Sequence, residues 1–347
     1  MGNYFIAGID DGNAYTKIAL SDGRRAVVPS HGVYGPVKRT QIGFSEADHP
    51  IQAFNTEDQD DVVSVGGVPY PSKTNYNDYQ LSALNRVITH YALRQMGVGQ
   101  TPGEEDQVEA TFGLPVSLFY GADGTRRTDV IDQKRASYGK RVTPVDEGGG
   151  DLRIAKPRVV PEGLAGYFWY VIEPTADGKS AVTNRERAEQ DLVIIDIGGR
   201  TTDFVVVEDG GVDHAKSGSV EIGGHILRDE MHARLAEQFN LDPMRSIKES
   251  RIREAIESGF FRTGGERHPV HQILAEERNH LASRIHEATQ TRIGKALEYD
   301  SILVIGGGVN ELRSSISEWF PRAVIPENPG FVNAEGMLYY NLYVAED

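Results

Sequence analysis

Short apolar runs rich in β-branched and aromatic residues alternate with polar turns at the start of the chain. Residues 4–9, 15–20 and 24–29 each read as a strand, and the Asp-Gly-Asn and Ser-Asp-Gly segments between them read as tight turns. The pattern predicts an antiparallel meander. Residues 36–71 are polar and broken by glycine and proline, with 62–65 and Gly66-Gly67 suggesting another hairpin within a peripheral subdomain. Over 79–96 the apolar residues Leu81, Leu84, Val87, Ile88, Tyr91 and Leu93 recur at mostly helical spacing and stop near Gly97 and Gly99, which predicts an amphipathic helix. Residues 109–114 read as a buried strand ended by Pro115, and the basic stretch 125–141 as a surface helix leading into a hairpin.

Candidate breaks follow at Gly148-Gly149-Gly150 and over 175–187, and a second series then begins. It comprises a strand at 191–195, a helix at 226–239 behind Gly223-Gly224, a long charged helix at 271–297 and a strand at 301–305. The long helix carries one apolar stripe that includes Ile273, Leu274, Leu281, Ile285 and Ile293. Alternating strands and helices in both halves predict an α/β protein of two related layered domains. A chain of 347 residues is long enough for two cores.

Composition narrows the class. Hydrophobic residues make up 39% and charged residues 25%, and no apolar run approaches the roughly 20 residues of a membrane-spanning helix, so a soluble protein without membrane contact is expected. The N-terminus enters a strand at once, without the basic and apolar segments of a leader, and cysteine is absent; both fit the cytoplasm. A net charge of −15 argues against direct binding of nucleic acid, which depends on a basic surface releasing counterions from phosphates. Any link to DNA is expected to run through a basic partner.

One local pattern occurs twice, as Ile9-Asp10-Asp11-Gly12 and as Ile195-Asp196-Ile197-Gly198-Gly199, each time after an apolar strand and before a second strand. In dinucleotide folds and Walker loops the glycines open into a helix; here they sit in hairpins. Glycine and small polar residues in such a turn aim backbone N–H groups and hydroxyls at an anion. A single Asp-x-Gly turn is among the commonest hairpin turns, but two copies in two halves suggest a polyphosphate gripped from both sides. Phosphate repels carboxylate, so Asp10 and Asp196 beside it make sense only with a divalent cation between, and magnesium fits best, reached through water. Lys17 supplies a point charge for the β- or γ-phosphate, Thr201 and Thr202 supply hydroxyls, and Asp203 braces the second turn. Gly306-Gly307-Gly308, after the 301–305 strand and before a helix at 310–320, is a candidate third phosphate or nucleoside turn.

Together these segments resemble the actin, heat-shock-chaperone and sugar-kinase superfamily: two phosphate hairpins (9–17 and 196–203), connecting helices at 161–166 and 333–336, and an adenosine motif at 305–310. Within it the chain is most similar to the plasmid-segregation actins (ParM, also called StbA). The carriers are Asp10-Asp11-Gly12, Gly113-Leu114-Pro115, Pro161-Glu162-Gly163 and Gly198-Gly199-Arg200-Thr201-Thr202-Asp203. The resemblance implies an actin-like α/β fold of two ribonuclease-H-like domains around a nucleotide cleft, with 1–189 plus 328–347 as the first domain and 190–327 as the second. It implies a Mg-ATPase, with GTP not distinguished from ATP, that assembles into filaments of itself and joins DNA through a bound adaptor of the ParR type. A small-molecule kinase and another cytoskeletal actin are the alternatives. Glu162 falls where the family's catalytic polar residue orients the attacking water, alongside Asp10 and Asp196. The implied nucleotide ligands are Asp11, Gly12, Asn13, Ala14, Tyr15 and Lys17; Gly198, Gly199, Arg200, Thr201 and Thr202; Gly306, Gly307, Gly308 and Asn310. Gly223, Gly224, Lys248, Arg251 and Arg253 lie where the second lobe approaches the base. Arg200 departs from the small residue or Thr usual at its position.

Overall fold

The N-terminal meander supplies three strands of a five-stranded sheet. In the computed structural model, which describes every residue except 1, 38–48, 70, 75, 122, 147–148, 177, 179, 243–246 and 346–347, its strands are β1 (Tyr4–Asp11), β2 (Tyr15–Leu20), β3 (Arg25–Pro29), β4 (Glu105–Leu114) and β5 (Asp151–Pro161). They are ordered β3-β2-β1-β4-β5, with the meander antiparallel and β1, β4 and β5 mutually parallel. Part of the 36–71 stretch and Gly148 of the candidate glycine break lie outside the described residues. β5 was not expected, because Lys156-Pro157-Arg158 interrupts its apolar alternation. It is an edge strand, where proline is tolerated.

Helix α1 (Ala83–Gln95) follows a 3-10 turn at Asn77–Leu81 and is capped by Ser82, whose Oγ accepts from the Asn85 N–H at 3.2 Å. Every residue from Ala83 to Arg94 is buried, so the helix is not amphipathic in place. A four-stranded antiparallel sheet (Gly32–Tyr34, Val63–Val65, Gln52–Thr56, Val142–Pro144) packs against it on the side away from the main sheet. Helix α2 (Thr128–Gly139) occupies the basic stretch, yet Lys134 and Tyr138 on it are buried.

The chain reaches the second domain through α3 (Leu164–Val171). The first connecting helix starts here rather than at Pro161, because Pro161 ends β5 and Gly163 turns the backbone at φ +78°. The second sheet is built on β6 (Leu192–Ile197), β7 (Thr202–Glu208) and β8 (Ser301–Ile305), with β6–β7 antiparallel and β6–β8 parallel. A parallel bridge from Leu303 to Val324 stands where the first sheet has β5. Strand order and direction thus repeat between the domains. Helices α4 (Gly224–Gln238), α5 (Glu249–Ser258), α6 (His271–Ile293) and α7 (Val309–Trp319) cover one face around Met231, Ile252, Leu281 and Leu312.

The other face of the second sheet, through Ile194, Val205 and Leu303, packs on α3. Helix α8 (Val332–Tyr343) returns to the first sheet, where Ala334 and Leu338 meet Ala19. The two connecting helices therefore lie between the sheets. They cross at Gly336, where any Cβ would overlap the Ala165 carbonyl. Among the described residues no helix is long and apolar enough to cross a membrane.

Candidate functional site

Each sheet ends a central strand in an acidic hairpin at the same place. Asp10 pairs in register with Lys17 across the first hairpin, and Asp196 pairs with Asp203 across the second. The turns touch across the interdomain cleft, since a Cβ on Gly199 would stand 2.6 Å from that of Ala14. The third turn closes the floor: Gly306 has φ +98°, and any side chain there would overlap Asp196 Oδ1. These turns, with Glu162 and Asn333, line one cavity of about 360 Å³.

Acid predominates at its base. Lys17 Nζ donates to Asp10 Oδ2 at 2.8 Å, and desolvation of the ammonium is outweighed by Asp10, Asp196 and Glu162, which raise its proton affinity. Burial, then Asp203 and Asp10, raise the Asp196 carboxyl to about 7 against the partial relief of Asn333 and Lys17. Burial and the charges of Asp203, Asp10 and Asp196 hold Glu162 well above the usual carboxylate range. Asp203 is also raised by burial, although it accepts from the Val116 N–H at 3.1 Å and the Thr201 hydroxyl at 2.8 Å. Glu162 Oε1 and Asn333 Oδ1 are buried with no hydrogen-bond partner among the described residues. Three acids, Asp10, Glu162 and Asp196, line the base of the cleft beside the single ammonium of Lys17, with Asp203 buried next to them, which leaves that base short of positive charge.

Seventeen residues expected at the site line this cleft: Asp10, Gly12, Asn13, Ala14, Tyr15, Lys17, Glu162, Asp196, Gly198, Gly199, Arg200, Thr201, Gly224, Arg253, Gly306, Gly307 and Gly308. Others stand elsewhere. Successive strand residues point to opposite faces, so Asp11 turns into the first domain and pairs with Lys134 at 2.8 Å. The Thr202 hydroxyl donates inward to the Ile222 carbonyl at 2.7 Å, and Gly223 packs on the backbone of Arg200. Lys248, Arg251 and Asn310 are exposed outside the cavity wall. On α5 it is Arg253 that faces the cleft, because helix residues two apart lie on nearly opposite sides; its guanidinium stands 6.0 Å from the Tyr15 ring centroid. Arg200 lines the cavity and pairs with Glu221 at 2.6 Å. Sequence reasoning missed His31, Arg228, Ile252, Ile256 and Leu281 on the walls. The apolar stripe of the long helix, which includes Leu281, and the apolar positions of the unrecognised α5 carried a signal for part of that wall.

Solved structures of known proteins match along nearly the whole chain. A ParM from a 15-stranded filament of Clostridium botulinum aligns with TM-score 0.74 and 18% identity over 97% of this chain and 99% of its own. The fold is that of the actin-like proteins. An archaeal actin homologue, Ta0583, in complex with ADP aligns with TM-score 0.70 and 18% identity over 96% of this chain and 97% of its own. Bacillus thuringiensis ParM with ATP follows with TM-score 0.66 and 17% identity over 98% of each chain. Two family models match the actin-like chain in tandem: "Plasmid segregation protein ParM, N-terminal" over residues 54–170, and "Archaeal actin homologue MreB-like, C-terminal" over residues 194–318. No curated protein matches in sequence. The actin-like architecture explains the duplicated sheets, the paired hairpins and the two helices between them.

Proposed function

We propose that the protein is a Mg-ATPase that assembles into nucleotide-dependent filaments for DNA segregation in the cytoplasm. The observation that carries this reading is the contact between the two acidic hairpins, Gly199 against Ala14, with Asp10 and Asp196 beside a shared cavity. Backbone N–H groups of both turns and the Lys17 ammonium suit a triphosphate. Among the described residues no three acidic or histidine side chains close on a single point, which favours magnesium held through its own waters by Asp10 and Asp196. The orphaned oxygens of Glu162 and Asn333 are acceptors suited to ordered water at that place. A bound magnesium ion would neutralise charge on the transferred phosphoryl group. Glu162 orients the attacking water by hydrogen bonding, while the hairpin donors hold the phosphates in line. Self-association follows the likeness to a filament-forming ParM, and a net charge of −15 directs contact with DNA to a basic adaptor of the ParR type.

ATP-dependent pelleting with phosphate release tests the reading. Light scattering at micromolar protein is expected to rise with ATP and magnesium, and Glu162→Ala and Asp196→Ala are expected to cut phosphate release at least about a hundredfold while remaining folded. Filaments of Glu162→Ala should persist. Unchanged turnover in both variants, or no sediment under any magnesium concentration, would defeat it. The archaeal match over 194–318 supports a second reading, a cytoskeletal actin with other cargo, for which ATP-driven assembly occurs without any DNA-bound adaptor.

A further inference from the structure

Behind the first phosphate hairpin, on the side away from the cleft, lies a lysine with no exposed surface. Lys134 of α2 has three N–H donors, and all are used: on the Asp11 carboxylate (2.8 Å to Oδ2), on Gln80 Oε1 (2.5 Å) and on the Gly113 carbonyl (2.6 Å). The Tyr138 hydroxyl donates to the same Asp11 carboxylate at 2.8 Å, and Asn85 Nδ2 donates to the Asp11 carbonyl at 3.0 Å. The hairpin residue next to Asp10 is therefore fixed by side chain and backbone together.

The third partner of Lys134 points to function rather than to packing alone. Gly113 is the surface on which Glu162 lies: a Cβ there would stand 2.8 Å from Glu162 Cγ, and the Glu162 N–H donates to the adjacent Leu114 carbonyl at 2.7 Å. One ammonium thus joins the strand that carries Asp10 to the strand that supports Glu162. A buried ion pair is a poor source of stability, since apolar side chains of the same volume often serve as well or better. Its use at this junction calls for another reason.

We infer that Lys134 is a positioning residue, which holds the first phosphate hairpin and Glu162 at a fixed separation so that nucleotide and attacking water meet in line. The inference rests on the ATPase reading and deepens it. The ladder between these strands stops at Ile9 and Phe112, so loss of the tie would let the strand ends beyond it, with Asp10 and Gly113, shift, and misplacement of about 1 Å costs on the order of a hundredfold in rate while the phosphate contacts survive.

The test compares full-length wild type with the Lys134→Met/Asp11→Asn double variant, in which both buried charges are removed together, measuring kcat and KM for ATP alongside thermal melting. The expected result is a cooperative melt, KM within about threefold of wild type, and kcat lower by about a hundredfold. A folded double variant with kcat within about threefold overturns the inference, as does a fall in melting temperature alone. If the double variant does not fold, Tyr138→Phe removes one hydroxyl from Asp11 and keeps the ring stacked on Phe112, whose centroid is 3.7 Å away. It is expected to lower kcat by about tenfold with little change in KM, and unchanged kcat overturns the inference. A wild type that hydrolyses no ATP sinks the ATPase reading and the inference with it, a result separate from turnover that survives the substitutions.

Discussion

Asn333 on the second connecting helix donates from Nδ2 to Asp196 Oδ2 at 2.5 Å, so the helix between the two sheets directly contacts the acid of the second hairpin. That donor lowers the proton affinity of Asp196, which burial and neighbouring acids have raised to about 7. Asn333→Ala removes it and pushes the value higher, leaving less of the carboxylate ionised at neutral pH. Turnover of ATP is expected to fall by about tenfold at pH 7 and to recover toward wild type by about pH 9. A deficit that stays constant across a pH–rate profile would show that Asn333 acts some other way.

Asp196 also makes the nucleotide-free protein sensitive to pH. Its folded-state value of about 7 lies above the ordinary 3.8, so the protonated acid favours folding. That stabilisation is complete below about pH 4 and is lost as pH rises through about 7, for a total on the order of 4 kcal/mol. Asp196→Asn cannot ionise and escapes the loss. Thermal melts without nucleotide should show the variant gaining on wild type steadily between pH 4 and 8; parallel curves would exclude a raised Asp196.

The acidic hairpins were legible in the sequence because a turn is local chemistry, with Asp and Gly at fixed offsets between two apolar strands. Which of Asp10 and Asp11 faces the cleft was not, since that depends on which side of β1 meets the second domain. Register with the second hairpin holds the answer: Asp10 and Asp196 occupy equivalent positions, while Asp11 matches Ile197 and points inward like it. Lys134 read as one cation in a basic surface helix, because its partners Asp11, Gln80 and Gly113 are distant in sequence. Arg253 was named beside Lys248 and Arg251, but which of the three faces the cleft depended on α5, whose buried residues Ile252, Ala255 and Ile256 are too few to announce a helix. The short pattern at Pro161 pointed to a helix start, but strand pairing with β4 extends through Pro161 itself.

His90 sits in α1 one turn from both Arg86 and Arg94, and neither ring nitrogen has a hydrogen-bond partner among the described residues. Burial, aided by the two arginines, lowers its value from 6.5 to about 3. A depressed histidine contributes stability above pH 6.5 that is lost as pH falls toward 3, here on the order of 5 kcal/mol. His90→Leu fills similar space without a proton site. Its acid unfolding midpoint is expected to move to lower pH, with unfolding at neutral pH unchanged or harder; an unshifted acid midpoint would count against the buried neutral ring.

Gly336 tests the joint between the domains. Helices α3 and α8 cross there with backbone against backbone, and the Ala165 carbonyl occupies the space that a side chain would need. The same α8 packs on β1 at Gly8, where a Cβ would overlap the Ala334 carbonyl, so the helix is held closely from two sides and has little room to retreat. A methyl group at Gly336 must therefore drive α8 from α3 or distort it. Alanine favours a helix interior over glycine by up to about 1 kcal/mol, while overpacking a close contact costs about 1–3 kcal/mol or more, so the steric term wins. Gly336→Ala is expected to lower the thermal midpoint by several degrees and to weaken nucleotide binding, because α8 also carries Asn333 to Asp196. A stabilised variant with unaltered nucleotide affinity would show that the two helices do not meet as closely as this crossing requires.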